Sequence, residues 1–288
     1  MRKSFYNIVM FAHNEEHNIT QSVKSVFDNS DDKLEKLVVI ANGCTDATVG
    51  VLTQLKMSFS TLEVIDLVIG DKCNAWNRYV HEFASDALVH FFVDADVRFT
   101  DMAFPQMFQT LIEDNNASAV AGLPFSGRNI GTYKDMVTNG WSLFGNCYGL
   151  KLSFIQIIRN KKFKLPIGLG WIDSAITKII YKDVDHQKKA IKGRIIFNEK
   201  CGYQFDSLSL WKKSDWSLYV SRIVRYRLGK LQEKHLEIIP FESWPDNLLE
   251  INQLVIEDIK LNKSYFNLLD RYLVVKRVKK FALKMQPK

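Results

Sequence analysis

The sequence holds no apolar run near the roughly 18 residues needed to span a bilayer. Membrane-spanning helices are therefore not expected in this sequence. Only four cysteines occur (Cys44, Cys73, Cys147, Cys201), far apart and without metal-type pairing. A disulfide framework and a zinc knuckle are therefore not expected, and reduced thiols in a cytoplasmic protein fit best. Repeats and low-complexity linkers are missing. The run Phe5 to Ala12 is cut short by His13-Asn14-Glu15-Glu16, and no small-residue cleavage site follows, so a strand is expected there rather than a secretion signal. Most of the chain also lacks a charge excess. Residues 260–288 carry nine Lys/Arg against one Asp, which leaves the first 259 residues at −1 of the total +7. A nucleic-acid partner would call for a basic surface on the body, so none is expected.

What is present is an alternation. Phe5–Ala12, Leu37–Ala41, Leu62–Ile69 and Leu88–Val93 have the apolar density of buried strands. Between them lie stretches with apolar residues at helical spacing: Ile19, Val23, Val26, Phe27, then Val49, Leu52, Leu55, then Trp76, Val80, Phe83. Such alternation predicts βαβ units and a mostly parallel sheet with flanking helices, an α/β fold. In these sheets ligands bind beyond the carboxyl ends of the strands. The polar clusters Asn14-Glu15, Asn42 to Asp46, Asp71-Lys72 and Asp94/Asp96 all fall at those ends. Each has a plainer reading, since acidic residues favour a helix start and Thr45, Asp46 or Asp71 would serve as N-caps.

The central stretch is His90-Phe91-Phe92-Val93-Asp94-Ala95-Asp96. In an extended segment residues i and i+2 point the same way, so Asp94 and Asp96 can address one cation. Hard carboxylate oxygens suit Mg²⁺ or Mn²⁺, which share their coordination with water and substrate phosphate.

Further on, Met102–Leu111 reads as a helix and Ser118–Leu123 as a strand. Residues 124–150, rich in glycine and aromatics, read as loops and short elements. Trp141 and Tyr148 there, with Trp171 beyond, are candidates to wall an acceptor cleft, or are buried loop aromatics. A helix follows Asp173. The second Asp-x-Asp, Asp183-Val184-Asp185, runs into Gln187-Lys188-Lys189 and reads as solvated surface. Arg194–Phe197 and Gly202–Phe205 read as strands. Arg222 and Arg225 share a face of a helix ending at Gly229, where two guanidiniums could clamp a diphosphate or form surface ion pairs. A helix covers 246–261. The last, from near Ser264, carries a seam of Leu268, Tyr272, Val275, Val278 and Ala282 among lysines and arginines. Such a basic amphipathic helix either lies on an anionic membrane surface or docks on the body.

Together these segments resemble the family 2 glycosyltransferases, an inverting group with the GT-A fold. The resemblance runs from about Phe5 to Gly229. Phe11-Ala12-His13-Asn14-Glu15-Glu16 resembles the family's first-strand signature. Val39-Ile40-Ala41-Asn42-Gly43-Cys44-Thr45-Asp46-Ala47-Thr48 resembles its second, and Gly70-Asp71-Lys72-Cys73-Asn74-Ala75-Trp76-Asn77 its Gly-Lys-x-x-Ala-x-Asn helix start. Asp94-Ala95-Asp96 is similar to its metal-binding Asp-x-Asp. Ile172-Asp173 sits where the family has Glu-Asp, with Ile172 in place of the usual acid, and Arg222-Ile223-Val224-Arg225-Tyr226 resembles a Gln-x-x-Arg-Trp segment.

The resemblance implies a catalytic domain over residues 1–230 and a helical extension over 231–288. It implies a non-processive transfer of sugar from a nucleotide diphosphate, a UDP-sugar by analogy, to the hydroxyl of a glycan, lipid-linked or peptide acceptor in bacterial glycan assembly. Ala12, Asn14, Glu15, Asn42, Asp46, Lys72, Asn77, Asp94, Arg222 and Arg225 would then meet the nucleotide-sugar. Asp96, supported by Asp94, would hold Mn²⁺ or Mg²⁺, and Asp173 would be the general base. The expected location is cytoplasmic, or peripheral on the inner face of the cell membrane through the C-terminal helix. Two alternatives remain open at this point. A sugar nucleotidyltransferase would carry a Gly-rich basic loop where Asn14-Glu15-Glu16 stands, and a silent nucleotide-sugar-binding or membrane-associated scaffold would not need Asp94, Asp96 and Asp173.

Overall fold

Seven consecutive residues with buried side chains, Tyr6–Ala12, form β1, and the rest of the sheet is laid against it. The structure is a computed structural model that describes residues 5–127, 129–206, 213–261 and 268–285, without the side chains of residues 213–215 and 270. The chain divides into two units. The first comprises Met1–Phe163 and Asp173–Ser207, the second Lys164–Ile172 and Leu208–Lys288.

In the first unit β1 is followed by α1 (Ile19–Asp28), β2 (Leu34–Asn42), α2 (Thr48–Ser58), β3 (Leu62–Leu67), α3 (Lys72–Arg78) and β4 (Val89–Asp94). A turn of π-helix, Tyr79–Phe83, extends α3. Then come β5 (Val97–Phe99), α4 (Ala103–Glu113), β6 (Ala119–Pro124), α5 (Ile130–Thr138), β7 (Cys147–Lys151), α6 (Leu152–Asn160), α7 (Ile172–Tyr181) and β8 (Ile195–Phe205). The eight strands form one sheet in the order β3-β2-β1-β4-β7-β6-β8-β5. The first four strands pair in parallel, as the alternation predicts. Beyond β4 the sheet is mixed, because β7 runs antiparallel to both β4 and β6.

Among the short elements of residues 124–150, β7 is an inner strand of the sheet, a place the sequence reading did not give it. Its Gly149 looks like a turn residue, but a β-carbon there would lie 2.7 Å from Phe91 Cε1 and 3.0 Å from Val120 Cγ1. Glycine is needed because neighbouring strands pack their side chains across it. The strand's tyrosine completes an aromatic stack. The Tyr148 ring lies 4.9 Å from Phe92 at 3°, and its hydroxyl accepts the Trp76 indole N–H at 2.9 Å.

The second Asp-x-Asp is also corrected. Asp183 and Val184 are buried, both with left-handed backbone angles, and Asp183 takes Arg194 at 2.8 Å and Lys188 at 3.5 Å. The segment is an ion-paired corner after α7, not solvated surface.

The second unit holds α8 (Lys213–Leu236), α9 (Leu249–Leu261) and α10 (Leu268–Lys284). α8 runs on past Gly229, where a β-carbon would come 2.9 Å from Trp171 Cβ, so this glycine marks a close approach rather than a helix end. Gln232, fully buried, ties α8 to its neighbours. It donates to Gly168 O (3.1 Å) and Asn252 Oδ1 (2.8 Å) and accepts from the Gly170 amide (2.8 Å). α10 docks through Val274 and Val278 against Val224 and Leu228 of α8 and Val255 and Ile259 of α9. Its buried seam is therefore rotated from the expected one, and Leu268 and Tyr272 stay outside.

Candidate active site

Strand register brings the ends of the parallel strands level: Ala12 pairs with Ala41, and Phe11 with Asp94. The three loops that leave β1, β2 and β3 are then stitched together. Asn14 adopts φ 58°, a left-handed angle that asparagine tolerates. Its Oδ1 accepts the Thr45 amide at 2.8 Å and its Nδ2 donates to Thr45 Oγ1 at 3.2 Å. The Glu15 amide donates to Thr48 Oγ1 (2.8 Å). Glu16 and the second loop exchange bonds, the Glu16 amide donating to Asp46 Oδ2 (3.2 Å) and Ala47 donating to Glu16 Oε2 (2.9 Å). Asn42 is the buried hinge of this lacing. Its carbonyl lies 2.7 Å from His13 Nδ1, and its Oδ1 accepts the Asp71 amide at 2.9 Å. Gly43, at φ 63°, has no room for a β-carbon, which would meet the Gly70 backbone at 2.5 Å.

Several expected nucleotide contacts thus have structural work in this state. Asp46 accepts from the Thr48 amide (3.0 Å) and hydroxyl (2.6 Å). Although desolvation opposes it, these bonds and that from the Glu16 amide hold the Asp46 pKa below its ordinary value. Asp71 is an N-cap, accepting from Cys73 and Asn74 at 2.9 and 3.1 Å. Ala12 is fully buried and Asn77 nearly so. His13, Glu16 and Thr48 stand within the first two sequence motifs, but nothing in the sequence shows that they tie the two loops together. Thr48, two residues after Asp46, also carries the local signal of an Asx-type turn.

The fourth loop adds charge. β4 ends at Asp94, and Ala95-Asp96 form a turn before β5, so the pair does not lie on one extended strand. The alternation survives the turn: Ala95 is buried, while Asp94 and Asp96 are half-buried. Lys72, the first residue of α3, places its ammonium on Asp94 Oδ1. Asp173, in the first turn of α7, reaches the same place. A β-carbon on Gly145 would lie 2.6 Å from Asp173 Oδ1 and 3.1 Å from Lys72 Nζ. Asp173 is held from behind by Thr177, whose hydroxyl donates to the Asp173 carbonyl (2.7 Å) and accepts the Leu143 amide (3.1 Å). Gly145 had no sequence signal beyond its glycine-rich surroundings.

Glu15 reports the electrostatics. Desolvation, together with the negative charge of Asp96, Asp94 and Asp46 and against the bond from Asn18, pushes its pKa up to about 7. Three neighbouring carboxylates thus add to the effect of burial at this edge. Among the described residues no three His, Cys, Asp or Glu side chains form a metal-holding group. Two hard carboxylates beside one another nonetheless fit a Mg²⁺- or Mn²⁺-type ion that draws its remaining ligands from phosphate and water. Lys72 already engages Asp94 of this pair.

The expected acceptor aromatics separate. Tyr148 is 2% exposed, and its stacking on Phe92 sets it in the core rather than on an acceptor surface. Trp141 is 72% exposed in the turn after α5. Trp171, in the second unit, packs edge-on against Tyr226 at 6.4 Å. Arg222 and Arg225 also belong to the second unit, both exposed on α8.

Comparison with known proteins gives two kinds of match. Residues 7–172 match the family model described as Glycosyl transferase family 2. No curated protein matches by sequence. Among solved structures, a mannosyltransferase from Pyrobaculum calidifontis in complex with GDP-Man and Mn²⁺ aligns with TM-score 0.60 and 13% identity, covering 98% of this chain and 80% of that chain. TarS 1–349 from S. aureus, in complex with UDP-GlcNAc, aligns with TM-score 0.62 and 14% identity over 98% and 82%. Glucosyl-3-phosphoglycerate synthase from Mycobacterium tuberculosis, in complex with Mn²⁺, UDP and glucosyl-3-phosphoglycerate, aligns with TM-score 0.52 and 17% identity over 77% and 78%. At these identities the likeness is one of fold, the GT-A arrangement.

Proposed function

The chain belongs to glycosyl transferase family 2, and from that premise we propose that it transfers a sugar, with inversion, from a UDP-sugar to an acceptor hydroxyl. The observation that carries this reading is the meeting of Asp173 and Lys72 over Gly145, with Lys72 paired to Asp94. Four segments distant in sequence contribute to it.

The parts divide the work. The laced loops after β1 to β3 form a stiff edge for the nucleotide, with the Asn14, Glu15, Asn42 and Asp46 side chains along it. Lys72 neutralises Asp94 and puts a cation where diphosphate charge would lie. A divalent ion held by Asp96, with Asp94 in support, would offset the charge that the leaving nucleotide gains. Asp173 takes the proton from the acceptor hydroxyl as that oxygen attacks the anomeric carbon from the face opposite the diphosphate. One displacement then inverts the configuration. Arg222 and Arg225 enter the scheme from the sequence resemblance alone, as further diphosphate cations. The acceptor class is a glycan, lipid-linked or peptide hydroxyl, in keeping with bacterial surface glycan assembly.

The test is a panel of nucleotide-sugars, with Mn²⁺ or Mg²⁺, and proton NMR of the released or transferred sugar before mutarotation. An α-linked UDP-sugar should give the β-product. Retained configuration would overturn the single-displacement reading, and consumption of a GDP- but not a UDP-sugar would overturn the donor assignment.

A further inference from the structure

The outward face of α10 carries two features that are rarely put together without a purpose. Docking through Val274 and Val278 leaves Leu268 (82% exposed), Leu269 (64%), Tyr272 (62%) and Leu283 (68%) in solvent. Lys276, Lys279 and Lys280 are exposed as well, and the Lys276 ammonium lies 5.9 Å over the Tyr272 ring. At about 100° per residue these seven positions fall within about 120° of the helix circumference. Leucines and lysines therefore alternate on one surface instead of segregating to opposite faces. Arg277, by contrast, turns inward and donates to Ser221 Oγ at 3.2 Å. From Leu268 to Lys284 the sequence has one acidic residue, Asp270, against Arg271, Lys276, Arg277, Lys279, Lys280 and Lys284.

We propose that this face of α10 docks on an anionic bilayer surface, the four apolar side chains entering the acyl boundary while the lysines reach lipid phosphates. The inference uses the geometry of the second unit alone and is independent of the sugar-transfer reading. Charge complementarity selects the occupant. A second copy of the chain would set lysine against lysine on the symmetric contact, whereas an anionic headgroup layer satisfies every lysine and an adjoining acyl layer takes the leucines. Water alone would leave the apolar side chains hydrated in a cluster. No helix among the described residues is long and apolar enough to cross a membrane, so the contact would lie in the interface plane.

The experiment is flotation of the full chain with phosphatidylcholine vesicles and with vesicles containing phosphatidylglycerol, at low and high salt. Two variants accompany it: Leu269→Gln with Leu283→Gln, and Lys276→Gln with Lys279→Gln and Lys280→Gln. All five side chains are exposed, and circular dichroism melts check that both variants keep the wild-type fold. The expected result is binding to the anionic vesicles only, weakened by salt, and weakened at least about tenfold in each variant. Failure of the wild type to float, or equal flotation of a folded variant, would overturn the proposal. So would a wild-type dimer that either variant converts to monomer with no vesicle binding.

Discussion

The carboxylate of Asp173 stands so close to the bare Cα of Gly145 that a β-carbon there would lie 2.6 Å from Oδ1. Position 145 therefore limits where Asp173 can be. Gly145→Ala must displace the carboxylate or the Lys72 ammonium beside it. Misplacement by about 1 Å costs on the order of 10²-fold in rate. The expected outcome is a comparable fall in kcat with KM for the donor changed less than about threefold, measured by steady-state kinetics. An unchanged kcat would mean that Asp173 need not sit there.

Lys72 and Asp94 form a half-buried pair at the foot of the same site. Removing either partner leaves the other's charge short of its counterpart. Lys72→Met and Asp94→Asn should each destabilise the fold, and the double variant should be less destabilised than their sum. A coupling of about 0.5–1 kcal/mol is expected from urea unfolding at neutral pH. Additivity to within about 0.3 kcal/mol would deny the pair any energetic meaning.

Glu15 predicts a pH dependence. Its pKa is raised from 4.5 to about 7 in the folded chain, so between those values the folded state binds the extra proton. The stability this gives is complete below pH 4.5 and is lost as pH rises through about 7. Glu15→Gln should remove that loss and melt higher than wild type at pH 8, while the two converge toward pH 5. A divalent cation at the strand-end edge should lower the wild-type loss too. Parallel melting curves across this window would show that burial and the surrounding carboxylates do not raise the Glu15 pKa in the folded chain.

Much of the first unit is legible in the sequence because β1, β4 and the second half of β2 are buried on both faces and the strands are punctuated by polar loops, whereas the edge strand β3 is buried only in part. The run from Phe5 to Ala12 can be little else. What lies beyond β4 is harder to read, for reasons that individual residues make plain. β7 is hidden by Gly149, a residue that reads as a turn but is required by Phe91 and Val120 packing across the strand. Gly229 misleads in the same way, since Trp171 needs the space inside α8. α10 has two candidate apolar stripes, and only the docking of Val274 and Val278 decides which is buried. At the site, residue types and order point to the strand ends. The lacing by Thr48, Glu16 and His13 depends on loops meeting across strands, which local sequence does not encode.

The most direct test of the account is the behaviour of Asp173→Asn in two measurements on one preparation. Calorimetric titration with UDP and Mn²⁺ should give an affinity within about threefold of wild type. Transfer from the same donor should be slower by at least about 10²-fold, the size of a lost general base. Near-wild-type transfer by that variant would contradict the claim that Asp173 accepts the acceptor's proton.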